Sequence, residues 1–148
     1  MAGHNATIGG GGFHHVAIKV SDFDRTLRLY CAGLGFKEKV RWGAAGADGD
    51  KRGAMLDTGD GNYLEVFGGG KAWEPVGEMA SAGVMIHFAM RTSSTDAATA
   101  LAQAAGFKVT VPPKDVTIQG TPMAVPIRIS FVQGPDGEIF EFFQNAVT

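Results

Sequence analysis

The chain contains the same pattern twice. The stretch DGNYLEVF at residues 60–67 aligns without a gap on DGEIFEFF at residues 136–143. Upstream, HVAIKVSDFD beginning at His15 aligns with HFAMRTSSTD beginning at His87. A repeat of this kind is one supersecondary unit that buries its apolar face against a second copy. The chain must therefore fold as two similar modules.

Each copy reads as strand, helix, strand, strand, strand. The predicted helices, DRTLRLYCAGL and DAATALAQAA, are each about three turns long and each is followed closely by glycine. Ser21-x-x-Asp24 and Ser93-x-x-Asp96 resemble N-terminal capping boxes, with aspartate in place of glutamate. The remaining predicted strands are FKEKVRW, KRGAMLD and NYLEVF in the first copy, and FKVTVPP, PIRISFVQ and EIFEFFQ in the second. This order predicts an α+β fold of two tandem βαβββ modules.

The boundaries of the modules follow from the glycine and proline content. Residues 1–12 read as a flexible lead-in, residues 13–68 as the first module, residues 69–83 as a linker and residues 84–145 as the second module. A copy of about 60 residues buries too little apolar surface to be stable alone. We therefore expect the two modules to pack as one domain over residues 13–145.

Composition restricts the partners and the compartment. A formal charge of −2 gives no reason to expect binding to nucleic acid or to an anionic membrane surface. No apolar run approaches the roughly 20 residues that span a bilayer. The first residues lack the basic start and apolar core of a signal peptide, and the single cysteine, Cys31, suits a reducing compartment. The expected location is the cytoplasm, and the expected partner is a small molecule.

The first strand of each module has one bulky apolar face and one face with a histidine, an alanine and a cation. Because side chains alternate across a strand, the second of these faces is the candidate binding cleft. It carries His15, Ala17 and Lys19 in the first copy, and His87, Ala89 and Arg91 in the second. Lys19 and Arg91 are candidates to hold an anionic substrate. The alternative is that both are cations at strand ends whose charged groups simply reach solvent.

Two glutamates stand where strands should be apolar. Glu65 and Glu141 alternate with bulky apolar residues, and a buried carboxylate costs several kcal/mol unless a partner or a metal neutralises it. Each module pairs its glutamate with a histidine of its first strand, His15 or His87. Nitrogen and carboxylate ligands on rigid strands suit a divalent metal, so these four residues are the predicted ligands. The alternatives are hydrogen-bonded core histidines and glutamates at an exposed edge.

The sequences HVAIKVSDFDRTLRLYCAGLGFK and QGPDGEIFEFFQ resemble the vicinal oxygen chelate superfamily. Its members include glyoxalase I, methylmalonyl-CoA epimerase, extradiol dioxygenases, fosfomycin-resistance thiol transferases and bleomycin-binding proteins. The resemblance covers residues 13–145 and implies two curved mixed sheets around a central cleft that holds a metal. The family's ligand positions fall on His15, Glu65, His87 and Glu141. It also implies a homodimer, and some members exchange modules between chains.

A complete His-Glu-His-Glu set is most similar to glyoxalase I. The resemblance implies a metal-dependent lyase or isomerase that acts on a small α-oxo or hemithioacetal substrate through an enediolate. Glu141 would transfer the proton, with Glu65 as the equivalent candidate in the other module. The metal would be nickel, cobalt, zinc or manganese, with room for exchangeable ligands. The alternatives are an epimerase like that of methylmalonyl-CoA, an Fe(II) dioxygenase, or a non-catalytic protein that binds a small molecule such as an antibiotic.

The chain departs from the glutathione-dependent pattern at three positions. Where that type carries arginine, asparagine and arginine, this sequence has Lys19, Gly69 and Gly83. The thiol, if one is used, is therefore left open. The segment 111–123 is rich in turn-forming residues and is interpreted either as a lid over the site or as a plain connecting loop.

Overall fold

The computed structural model describes residues 13–72, 87–120 and 122–146. The predicted lead-in and most of the predicted linker, including Gly83, lie outside them. Neither described helix is long and apolar enough to cross a membrane. The first half of the chain contains β1 (His15–Lys19), α1 (Phe23–Gly33), β2 (Lys37–Trp42), β3 (Ala45–Gly46), β4 (Gly49–Asp50), β5 (Gly53–Asp57) and β6 (Tyr63–Phe67). The second half contains β7 (Phe88–Arg91), α2 (Thr95–Ala105), β8 (Lys108–Ile118), β9 (Val125–Gln133) and β10 (Ile139–Gln144).

The strands form two four-stranded sheets with the same topology. Their strand orders are β1-β6-β5-β2 and β7-β10-β9-β8. In each sheet the first strand of the module is parallel to the last, and the other neighbours are antiparallel. A short hairpin, β3-β4, is an addition found in the first half. The predicted α+β fold of two βαβββ modules is confirmed.

The described residues form two compact units. The first unit holds residues 13–27 and 35–71, and the second holds residues 28–34, 72 and 87–146. The second unit therefore includes the last turns of α1 as well as its own helix.

The core of the first unit lies under one face of its sheet. Alternate residues of β5 and β6 are buried, as the predicted apolar face requires. The apolar side chains on this side are buried: Val20, Phe23, Leu27, Ala54, Leu56, Leu64 and Val66. The opposite face of the sheet carries His15, Lys19 and Glu65 together with the aromatic residues Tyr63 and Phe67.

The core of the second unit is built around Phe140 of β10. Its ring stacks on Phe88 at 5.4 Å between centroids and meets Tyr30 and Phe107 edge-on at 5.4 and 6.0 Å. The hydroxyl of Tyr30 donates a hydrogen bond to the carboxylate of Glu138. Burial raises the pKa of Glu138 above its usual value, although that hydrogen bond opposes the shift. A carboxyl group is thus enclosed in this unit next to aromatic rings.

The helices begin one residue later than predicted. The cap of α1 is Asp22, whose Oδ1 accepts a hydrogen bond from the amide three residues on at 3.0 Å. The cap of α2 is Ser94, whose Oγ accepts in the same way at 3.2 Å. The predicted caps, Ser21 and Ser93, were therefore wrong by one position. Aspartate and serine are both strong N-caps, and each copy has two such residues in a row, Ser21 and Asp22 in the first and Ser93 and Ser94 in the second.

The aspartates expected to complete the capping boxes pair with arginines instead. Asp24 accepts two hydrogen bonds from Nη1 of Arg52, at 2.8 and 3.0 Å. Asp96 accepts two from Arg128, at 2.7 and 2.8 Å. Arg52 and Arg128 occupy equivalent places in the aligned repeat. The same ion pair therefore ties the start of each helix to the sheet of its module.

The segment 111–123 is mostly strand. β8 runs from Lys108 to Ile118, so neither a lid nor a connecting loop describes residues 111–118. The two adjacent prolines, Pro112 and Pro113, lie where the pairing with β9 shifts register. Proline lacks the amide hydrogen, but an edge strand and an irregular pairing both tolerate that loss. The strand predicted over FKVTVPP is therefore confirmed but continues five residues further, to Ile118.

Candidate functional site

The polar face of the first unit places a histidine beside a glutamate. Parallel pairing of β1 with β6 sets His15 opposite Tyr63 and Ala17 opposite Glu65. Nε2 of His15 lies 3.6 Å from Oε2 of Glu65. The side chain of Glu65 is 17% exposed, so this carboxylate is largely shielded but reaches the surface.

His14 supports the ring of its neighbour. Nδ1 of His14 lies 3.0 Å from Nδ1 of His15, and the His14 ring contacts Tyr63 at 5.2 Å between centroids. Holding one ring nitrogen of a histidine orients the other nitrogen, which here points toward Glu65. The repeat comparison had no means of identifying His14, since its counterpart in the second copy is Ile86.

The second unit repeats the pair in a more buried setting. Nε2 of His87 lies 3.1 Å from Oε2 of Glu141, and Glu141 as a whole is only 7% exposed. Glu141 faces Phe131 across the sheet, and the His87 ring contacts Phe131 edge-on at 5.5 Å. Burial raises the pKa of Glu141, and the neighbouring His87 partly offsets this. The carboxylate that the sequence singled out is therefore enclosed by apolar groups, with an imidazole as its partner.

The four predicted ligands come together as two pairs. Among residues 13–72, 87–120 and 122–146, no three His, Cys, Asp or Glu side chains form a group that could hold a metal ion. Each pair presents one imidazole nitrogen and one carboxylate oxygen from adjacent paired strands. An imidazole nitrogen and a carboxylate oxygen are donors of a type that a borderline divalent metal accepts.

The two predicted cations lie on the same faces as the pairs. Lys19 stands opposite Phe67 in the β1–β6 register, and Arg91 stands opposite Phe143 in the β7–β10 register. Both side chains are exposed. Within the described part of the chain, no carboxylate lies within ion-pair distance of Lys19.

Sequence reasoning missed an aromatic surface beside the first pair. Trp42 and Phe67 meet edge-on at 5.9 Å between centroids, and Trp42 remains 36% exposed. Phe67 is two residues from Glu65 on the same face of β6. The available signal was the position of Trp42 at the end of a strand of mostly charged residues. A comparison of the two copies passes over it because Trp42 aligns with Pro113.

The comparisons with known proteins agree with this architecture. The structure of TioX from Micromonospora sp. ML1 is 24% identical, with a TM-score of 0.64 over 92% of this chain and 100% of that one. Glyoxalase I from Zea mays is 23% identical, with a TM-score of 0.64 over 92% of this chain and 45% of the maize chain. The fosfomycin resistance protein FosX from Listeria monocytogenes is 16% identical, with a TM-score of 0.64 over 93% and 95%. At these identities the likeness shows the fold alone.

No curated protein matches the sequence closely enough to count as a relative. The sequence itself matches a family description over residues 12–142, nearly the whole length of both modules. The chain belongs to the Glyoxalase/Bleomycin resistance protein/Dioxygenase superfamily.

Proposed function

We propose that the protein is a metal-dependent lyase or isomerase of the glyoxalase I type. Its substrate would be a small α-oxo compound or hemithioacetal, converted through an enediolate. The observation that carries the proposal is the repeated pair, an imidazole Nε2 beside a carboxylate oxygen at 3.6 Å in one unit and 3.1 Å in the other. Membership of the superfamily, which includes enzymes of this type, supports it.

In this proposal the two pairs bind one divalent ion. His15 and Glu65 would supply two ligands, and His87 and Glu141 the other two. Nickel, cobalt, zinc and manganese all accept this mixture of imidazole and carboxylate. The ion supplies Lewis-acid stabilisation of the negative charge that develops on the substrate oxygens.

Glu141 is the proposed proton carrier, a role it would take when displaced from the metal. The carboxylate takes the proton from the carbon next to the carbonyl group and returns it to the neighbouring carbon, so that the substrate is isomerised without net gain or loss of protons. Its burial supports this role, because a poorly hydrated carboxylate is a stronger base than one in water. Glu65 is the equivalent candidate in the first unit.

We further propose that a homodimer completes the ligand set. The support is that each unit contributes one His–Glu pair, which is half of the proposed ligand set. A second copy would bring its His87–Glu141 pair to the His15–Glu65 pair of the first. Two copies related by a twofold axis would then share two equivalent metal sites.

The first test is the metal content of the wild type and of His87→Ala and Glu141→Gln, measured by mass spectrometry after loading and desalting. We expect about one divalent ion per chain in the wild type and a large loss in both variants. Glu38→Gln is the matched control, because Glu38 is a carboxylate that pairs with Arg41 away from these faces. Metal-free wild type after loading would contradict the enzyme proposal and leave a binding protein.

Activity and assembly need a second test. Two inactive chains, one with His15→Ala and Glu65→Gln and one with His87→Ala and Glu141→Gln, are mixed and reassembled. If two chains share each site, the heterodimer regains one intact ligand set and about half of the activity per dimer toward a methylglyoxal hemithioacetal. If one chain supplies all four ligands, the mixture stays inactive, and the dimer proposal fails without affecting the proposed chemistry.

A further inference from the structure

We propose that the first unit binds a flat aromatic ring of the substrate on Trp42 and Phe67, and the acidic group of the same substrate at Lys19. We call these two rings the aromatic shelf. The substrate class is an aryl-substituted 2-oxo or 2-hydroxy acid. The consequence for catalysis rests on the proposed function, but the binding does not.

The shelf and the cation form one row across the sheet. In the strand register Lys19 stands opposite Phe67, Phe67 opposite Gly53, and Gly53 opposite Trp42. Side chains at paired positions point to the same face of a sheet. The neighbouring row contains Glu65, about 7 Å along β6. A ring on the shelf is therefore held beside the candidate catalytic carboxylate.

The glycine in this row makes room for the indole. A Cβ added to Gly53 would lie 2.3 to 2.5 Å from three atoms of the Trp42 ring, far inside contact distance. The indole thus lies directly over the backbone of β5 and against the edge of Phe67, with an interplanar angle of 74°. Its orientation is set by these two contacts, while Trp42 stays 36% exposed to solvent.

The second unit folds without such a shelf. The residue that aligns with Gly53 is Ile129, and the residue opposite it in the sheet, where the first unit has Trp42, is Lys114. Phe67 has an aromatic counterpart in Phe143, so only the indole and the space for it are particular to the first unit. A βαβββ module therefore does not need the shelf for stability. A large exposed ring that the fold does not require indicates a ligand contact.

Charge selects the kind of ligand. Lys19 is exposed beside Phe67 and forms no ion pair with any carboxylate in the described ranges. An ammonium group at one end of an aromatic row complements a ligand that carries both a ring and an anionic group. A neutral aliphatic substrate would leave both features unused.

The test uses fluorescence of Trp42. Trp73 is the other of the two tryptophans, so Trp73→Phe leaves Trp42 as the reporter. This protein, stripped of metal with EDTA, is titrated with phenylglyoxylate and with pyruvate, which has the same oxo acid group without the ring. We expect saturable quenching by phenylglyoxylate and at least about tenfold weaker binding of pyruvate. Lys19→Met should weaken phenylglyoxylate binding by about tenfold.

Calorimetry on shelf variants completes the test. Trp42→Ala and Gly53→Val, which displaces the indole, should each lose about tenfold in affinity for phenylglyoxylate, and Trp42→Phe should retain most of it. Equal affinities for the two acids, or unchanged affinity in Trp42→Ala, would overturn the proposal. None of these results depends on bound metal, so failure of the shelf and failure of the proposed enzyme remain distinguishable.

Discussion

Replacing Glu141 by methionine should stabilise the metal-free protein and destabilise the metal-loaded one. Glu141 is 7% exposed, and its imidazole partner is 3.1 Å away. Apolar replacement of buried ion pairs is often neutral or stabilising by about 1–4 kcal/mol. We expect about 1 kcal/mol, the low end of that range, because the carboxyl group avoids part of the burial cost through its raised pKa. His87 loses its partner in this variant, but its side chain is 30% exposed, so water can solvate the ring.

Bound metal should make the wild type more stable than Glu141→Met. A ligand that binds only the folded state stabilises it by about 2.7 kcal/mol at a free concentration one hundred times its Kd. The wild type gains this amount and Glu141→Met gains almost none, so the variant becomes less stable by about 1.7 kcal/mol. For a chain of this size 1 kcal/mol shifts Tm by about 2–4 °C. The variant should therefore melt about 2–4 °C above the wild type in EDTA and about 3–7 °C below it with metal.

Thermal unfolding followed by circular dichroism, with EDTA and with excess Ni²⁺, measures both differences. Glu65→Met is the matched control for burial, since its carboxylate is 17% exposed and lies 3.6 Å from its histidine. It should change little in EDTA and should also lose the metal effect. A lower Tm of Glu141→Met in EDTA would show that the His87–Glu141 pair itself stabilises the fold. A full metal-induced shift in the same variant would show that Glu141 is not a ligand.

Three further predictions concern the fold. Burial raises the pKa of Glu138 above the unfolded value of 4.5, so the wild type should lose stability relative to Glu138→Gln as pH rises from about 4 to 7. Urea unfolding at several pH values measures this difference, and a difference that does not vary with pH would contradict the prediction. Asp22→Ala and Ser94→Ala should each cost about 0.5–2 kcal/mol by loss of a helix cap, whereas Ser93→Ala should cost little. Equal effects of Ser93→Ala and Ser94→Ala in urea unfolding would favour Ser93 as the cap of α2. Phe140→Ala should cost about 3–5 kcal/mol in the same assay, because three rings pack on this side chain, and a loss below about 1 kcal/mol would mean that the cluster repacks.

The repeat made the fold predictable. Strand alternation around Glu65 and Glu141 identified which face of each sheet is apolar, and the order of elements followed from copying one module onto the other. The pairing of each glutamate with its histidine also followed, because the first and last strands of both modules are neighbours in the sheet. These predictions depend on local periodicity and on the correspondence of the two copies, both of which are visible in the sequence.

Other features depend on contacts that no local pattern encodes. Ser21 and Asp22 are adjacent, so the sequence pattern does not show which of them is the cap of α1. Asp24 and Asp96 form ion pairs with Arg52 and Arg128, which lie far from them in the sequence. The shelf is a difference between the two copies, so a comparison of the features that the copies share does not reveal it. Whether the two ligand pairs meet is decided by packing between whole modules or whole chains, which residue spacing does not specify.

The two prolines of β8 have a consequence for solubility. β8 is the outer strand of its sheet, and an outer strand eleven residues long offers a row of unpaired amides and carbonyls on which another polypeptide can add by strand pairing. Pro112 and Pro113 both lack an amide hydrogen, and because neighbouring amides of a strand point to opposite edges, one loss falls on the open edge and the other beside β9, where the pairing shifts register. The charged side chains of Lys114 and Asp115 follow immediately. The two prolines thus protect the protein against edge-to-edge aggregation while the strand itself stays intact.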